Sequence, residues 1–162
     1  MEQSTELNEI EIREILAKFD IHNISSFELL SGGSENTNYL VKSENSKYVL
    51  CIFEQKTEKN AKELAHLLKH LEINNLNTSK LIYTSDSESV IIWNNKPIII
   101  KTFIEGKIRK DFPPHLLKLI GKELAKLHQI NVPEYLPKQL NYGKEQFSNL
   151  RKYSANSEFD IW

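Results

Sequence analysis

Leu7, Ile12, Ile15, Leu16 and Phe19 fall on one stripe at helical spacing, which predicts an amphipathic helix near the start of the chain. Ser4 or Thr5 can cap it, and Glu6 and Glu9 suit the positive end of its dipole. After Asp20 the period shortens. Residues 27–30 are a short apolar run, 38–42 alternate around Tyr39 and Val41, and 48–53 are rich in strand formers, with turn signals between them. Three strands joined by tight loops form an antiparallel meander. Helical spacing returns over 60–73, where Ala61, Leu64, Ala65, Leu68 and Leu71 are in phase. Asn60 with Glu63 reads as a capping box, and Asn74-Asn75 as the stop. Residues 81–84 and 89–93 follow as strands, and Asn94-Asn95 turns the chain into a strand over 98–104. Pro113-Pro114 opens a last helix to about His128, striped by Leu117, Ile120, Leu124 and Leu127, with Gly121 and Ala125 small enough for close packing. The order predicts an α+β layer: an antiparallel sheet of about five strands with one helix across it, then the helical start of something else.

The 162 residues allow one domain, or one and a fraction. With 21 basic against 22 acidic residues the net charge is −1, so no global field draws nucleic acid or an anionic membrane, and neither is expected as a partner. The longest apolar runs, 90–93 and 97–100, are strand-sized and far short of a membrane span. An acidic, polar N-terminus is neither a secretory signal nor an Arg-rich transit peptide. The single cysteine excludes an internal disulfide and a cysteine-based zinc site, and it suits a reducing cytoplasm.

Chemistry concentrates in a few places. Ser31-Gly32-Gly33-Ser34-Glu35-Asn36-Thr37-Asn38 sits between the first two strands. Glycines let backbone approach a ligand closely, and successive N–H groups with small polar side chains can donate to phosphate oxygens. A hairpin that merely needs two glycines explains the same residues. Cys51, on the third strand, reads as a small buried hydrophobe. His66 and His70 are spaced i, i+4, but no third ligand accompanies them, and a solvated helix face accounts for both. His128 closes a helix, where a cation is favoured. The stretch from Lys101 to Gly106, through Thr102, Phe103 and Ile104, reads as a strand ending in a hinge, whose backbone could offer an adenine ring two hydrogen bonds.

Four segments together resemble the N-terminal half of the aminoglycoside phosphotransferase and choline kinase superfamily, which shares the protein-kinase-like fold. They are Gly33-Ser34-Glu35-Asn36-Thr37-Asn38-Tyr39; Tyr48-Val49-Leu50-Cys51-Ile52-Phe53-Glu54; Lys96-Pro97 leading to Phe103-Ile104-Glu105-Gly106; and Ile120 through Leu127-His128. The pattern is most similar to the homoserine kinases of the phosphotransferase type. The resemblance implies that Gly32, Gly33, Ser34, Asn36 and Asn38 cover the phosphates of ATP and that the Thr102–Ile104 backbone holds adenine. It makes Glu63 the glutamate of the kinase-like helix, a role its capping-box position explains equally well. Cys51 stands where kinase-like lobes carry a phosphate-gripping lysine, although the homoserine kinase branch has a small residue there. Lys42 or Lys101 is then the substitute cation.

The resemblance further implies a His-Gly-Asp-type catalytic loop and an aspartate for magnesium. Neither is found: no histidine follows His128, and Asp160 stands without such a loop. No catalytic residue and no metal ligand is therefore assigned, and the magnesium ligands are expected in a missing C-terminal half. The division expected is a nucleotide-binding lobe with its leading helix over 1–103, a hinge over 104–112, and a truncated helical lobe over 113–162. The complete enzyme would move the γ-phosphoryl of ATP to the hydroxyl of a small molecule, and this chain alone would be inactive. The rival expectation is a non-catalytic descendant that acts as a binding module, homodimeric through apolar surface near 117–127 and 159–162. An unrelated α+β protein with coincidental loops is a third.

Overall fold

Alternation along one strand decides how the layers stack. In β2 (Asn36–Ser43) Thr37, Tyr39 and Val41 face one side of the sheet and Asn36, Asn38 and Leu40 the other. The computed structural model describes residues 5–31 and 35–136. Within them β2 lies between β1 (Ile24–Leu30) and β3 (Lys47–Phe53), all antiparallel. β6 (Lys96–Thr102) pairs with the far side of β3 and carries β4 (Leu81–Ile82) at the edge, while β5 (Ile91–Trp93) forms a hairpin with β6. The sheet thus has six strands rather than about five, because β4 and β5 pair with different stretches of β6. Asn94 and Asn95, at φ 47° and 64°, make the hairpin turn, a conformation that asparagine tolerates better than most residues.

Both faces of the sheet are covered, where one helix was expected. On the first face α1 (Glu9–Ala17) packs Ile12, Ile15 and Leu16, with Leu7, Phe19 and Ile21, onto Tyr39, Val41, Leu50, Ile52, Ile98 and Ile100. On the second, α2 (Glu58–Ile73) lays Ala61 and Ala65 onto Cys51, Phe53, Leu81, Val90 and Ile99. Alanines at the contact let this helix sit close to the strands.

The caps differ from those expected. Asn8, not Ser4 or Thr5, caps α1, in a reciprocal capping box with Glu11. Thr57 caps α2, one turn ahead of the Asn60–Glu63 pair, and its hydroxyl accepts the Asn60 N–H. Thr57 wins because its extended backbone (φ −75°, ψ 162°) is the N-cap conformation.

Residues 103–113 are irregular, and α3 (Pro114–Gln129) follows with proline at its start. None of its residues is buried, and nothing lies within 4 Å of where a Cβ on Gly121 would be. The close packing expected at Gly121 is therefore not made among the described residues. No helix among them is long and apolar enough to cross a membrane.

Candidate functional site

Strand register assembles one polar and apolar surface beside the glycine-bearing loop. Leu30 pairs with Asn38, Asn38 with Cys51 and Cys51 with Ile99, giving one row across four strands on the α2 side. The neighbouring row on that side runs Glu28, Leu40, Val49, Lys101 and Leu81. α2 covers the end of these rows at Cys51, Ile99 and Leu81. It leaves Leu30, Asn38 and Val49 half-buried, with Leu40 more deeply set among them. Leu30, Leu40 and Val49 were not singled out from the sequence. Only the parity of alternation in three separate strands, combined with their register, puts them side by side.

Gly32, Gly33 and Ser34 lie outside the described residues. The loop they belong to leaves β1 at Leu30 and returns into β2 at Asn36, which pairs with Phe53 of β3. Asn36 Oδ1 is fully buried and has no hydrogen-bond partner among the described residues, a state that costs about 1–3 kcal/mol. Cys51 is 3% exposed. Burial pushes its thiol up to about 11, against the opposing pull of Lys101 and Lys56, so it stays protonated at neutral pH. It behaves as the buried hydrophobe expected.

The lysines divide by position. Lys42 pairs with Glu28 at 3.3 Å; six residues beyond Asn36 on an extended strand, its Cα is about 20 Å from the loop's return. Lys101 lies in the second row, opposite Val49. Lys56, absent from the sequence expectations, follows β3 with its Nζ 3.8 Å from Glu35 Oε2 and 5.4 Å from the Phe53 ring centroid. Glu63 is half-buried in the second turn of α2 and makes no hydrogen bond or ion pair with a described residue.

Behind the loop, on the α1 side, a polar knot ties the N-terminal segment to the strands. Glu54 accepts hydrogen bonds from the Thr5 N–H and hydroxyl, both at 2.9 Å, from the Thr37 hydroxyl and from the Lys96 ammonium. The Tyr39 hydroxyl accepts the Leu7 N–H at 2.9 Å and donates to the Thr5 carbonyl at 3.1 Å. Burial alone would raise the Glu54 pKa, but Lys96, Thr37 and Thr5 together hold it at about 2. Thr37, read from the sequence within the glycine-bearing loop, and Tyr39, read in the strand after it, thus serve on the opposite face as anchors for residues 5–7.

The hinge is narrower than the sequence suggested. The Thr102 N–H donates to the Lys80 carbonyl at 2.8 Å, and the Phe103 N–H to the Lys47 carbonyl at 2.9 Å. The Ile104 N–H has no acceptor among the described residues, and the Ile104 side chain is 52% exposed. Lys47 braces this corner through an ion pair with Glu105, its Nζ 5.9 Å from the Phe103 ring centroid. His66 and His70 do not simply face solvent: His70 Nε2 lies 2.8 Å from the Asn131 carbonyl, and His66 packs edge-on to Tyr135 at 5.9 Å. Both fasten the segment after α3 to α2. Among the described residues no group of three or more His, Cys, Asp or Glu converges as a metal site would require.

Residues 26–161 match the model of the phosphotransferase enzyme family. The chain belongs to that family. It is 29% identical over 128 residues to the homoserine kinases of Brucella anthropi and Brucella ovis, a match covering 76% of this chain and 38% of theirs. The chain therefore spans well under half the length of these relatives. Among solved structures it is similar to a spectinomycin phosphotransferase in complex with ADP and spectinomycin (TM-score 0.74, 18% identity, 97% of this chain and 49% of that one). It is also similar to a microcompartment-associated aminopropanol kinase (TM-score 0.62, 16% identity, 81% and 44%). An amicoumacin kinase in complex with AMP-PNP and Ca2+ matches at TM-score 0.62 and 14% identity, over 96% and 55%. These likenesses show the fold: the sheet with its two helices is the kinase-like N-terminal lobe of the family, followed by α3.

Proposed function

We propose that this chain is the ATP-holding part of a phosphotransferase that moves the γ-phosphoryl group to a hydroxyl of a small molecule, with homoserine the favoured acceptor. The observation that carries the reading is the strip of sheet running from the glycine-bearing loop to the hinge. It combines an apolar surface, a polar loop root and an uncommitted backbone donor. Leu30, Leu40 and Val49 would face the adenine ring, and the Ile104 N–H would donate to a ring nitrogen. The loop over 31–35 and the Asn36 and Asn38 amides would meet the phosphates. Cys51, apolar and small, would leave room beside them. Thr102 and Phe103 would shape the hinge without offering N–H groups of their own.

Magnesium, when bound, bridges phosphate oxygens and neutralises charge in such transfers. The described residues offer no converging acidic set to hold it, so its ligands and the aspartate that orients the acceptor hydroxyl are expected in the part of the relatives that this chain does not span. On this reading the chain contributes positioning rather than chemistry. Similarity to homoserine kinases supports the acceptor. Division into a nucleotide lobe over 1–103, a hinge over 104–112 and a second lobe from 113 fits the irregular segment before α3.

Titration calorimetry of the chain with ATP, ADP and adenosine tests the reading. ATP should bind weakly, and no phosphate should pass to homoserine when the chain is assayed alone. Binding of neither ATP nor adenosine at millimolar concentration would refute it. A second reading, a non-catalytic module that self-associates, is favoured by α3, where Leu117, Leu119, Ile120, Leu124 and Leu127 are 41–56% exposed. Light scattering separates the two: a monomer at all concentrations removes the second.

A further inference from the structure

Cys51 leaves the loop end of the third strand without a cation, yet a polyphosphate bound beside it carries several negative charges. Four lysines stand on this side of the sheet. Lys47, opposite Lys42 at the start of β3, is committed to Glu105. Lys42 is committed to Glu28 at the far end of β2, and Lys101 lies one row toward the hinge, opposite Val49. Lys56 differs from all three. It belongs to the turn between β3 and α2, and its ammonium folds back over Phe53, a residue packed on the α2 side of the sheet. There it meets Glu35, the residue through which the glycine-bearing loop returns to β2. Their contact is loose: 3.8 Å between charged atoms, with 36% and 62% of the two side chains exposed, so it costs little to break. Beside it Asn36 Oδ1 is buried without a donor among the described residues; an amide turned end for end would present its N–H groups to an anion instead.

We propose that Lys56 is the cation that neutralises the nucleotide's phosphates, reaching the loop from the turn after β3 in place of a strand lysine, with Glu35 as its partner until the nucleotide takes over. The proposal rests on the nucleotide reading above and names a binding residue for it. Lys56 also acts on the neighbouring strand position: together with Lys101 it opposes the upward shift of the Cys51 thiol, so its positive field reaches the place where a strand lysine would sit.

Calorimetry on the full chain and its variants decides the matter, with ATP and adenosine as paired probes. Lys56→Met should weaken ATP binding about tenfold or more, the loss of one charge-assisted contact, while adenosine binding stays as in the unchanged chain. Lys56→Arg should keep most of the ATP affinity. Glu35→Gln, which removes the competing carboxylate, should tighten ATP binding. Lys69→Met, the same charge change at the far end of α2, should alter neither. Thermal melts should coincide for all variants, since Lys56 is on a partly exposed turn. Lys56→Met binding ATP as tightly as the unchanged chain overturns the proposal, as does an equal loss of adenosine. Failure of the unchanged chain to bind either probe overturns the nucleotide reading, and Lys56's role with it.

Discussion

At the scale of single residues, Glu54 and Val49 show two kinds of role on opposite faces of the same strands. Glu54 is 13% exposed and held at about 2 against an ordinary 4.5, by hydrogen bonds that outweigh burial. A carboxylate with a depressed folded-state pKa stabilises fully above its unfolded value and loses that contribution as pH falls toward the folded value. The knot should therefore contribute about 2–3 kcal/mol above pH 5 and fade between pH 4.5 and 2. Glu54→Gln should lower stability at pH 7 by about 2 kcal/mol and flatten the acid limb of a denaturation series followed by circular dichroism. An unchanged limb would mean that another carboxylate governs acid unfolding. Val49 is tested by enlargement: Val49→Trp should weaken ATP and adenosine alike, whereas Lys56→Met separates them. The sequence pointed to both residues only as members of one family-like segment and gave neither a role. Each depends on a partner far along the chain, Val49 on Lys101, 52 positions away, and Glu54 on Lys96, 42 positions away.

Among the elements, α2 was plain in the sequence because Ala61, Leu64, Ala65, Leu68 and Leu71 keep a helical period. Its start was not, since Asn60 with Glu63 satisfies the capping-box pattern as well as Thr57 satisfies a simple cap. The choice is made by backbone conformation at Thr57. Thr57→Ala should cost about 1 kcal/mol, and Glu63→Gln less than about 0.5 kcal/mol, both read from urea denaturation. The reverse order would place the helix start at Asn60. The short strands behaved likewise. Turn signals located the Asn94-Asn95 hairpin, but β4 is limited to Leu81–Ile82 by what β6 has left to pair. Strand ends are set by partners as much as by propensity.

For the whole molecule, the contrast is between a sheet buried on both sides and a third helix with no buried residue. Ile98 is fully buried beneath α1, and Ile98→Ala should cost about 2–5 kcal/mol. Leu124, 48% exposed on α3, should tolerate Leu124→Lys with less than about 0.5 kcal/mol change in global stability. A melt in which the two variants fall equally would show that the α3 face is covered in solution. The exposed stripe near 117–127 was expected from the sequence; the stretch 159–162 paired with it lies outside the described residues.

Local pattern by itself determined the existence of the helices, the first meander, the asparagine hairpin and the α+β class, because periodicity and turn residues act over a few positions. The family-like segments, in their order, also carried the phosphotransferase resemblance. Tertiary structure alone decided the pairing of β6 with β3, the coverage of both faces, and the rows that set Leu30, Asn38 and Cys51 beside Leu40, Val49 and Lys101. It also returned Lys56 to the loop and withdrew Thr37 and Tyr39 to the opposite face. The reason is physical: a shift of one residue in register exchanges every side chain between faces. What selects the register is burial beneath α1 and α2, packed from segments distant in the chain.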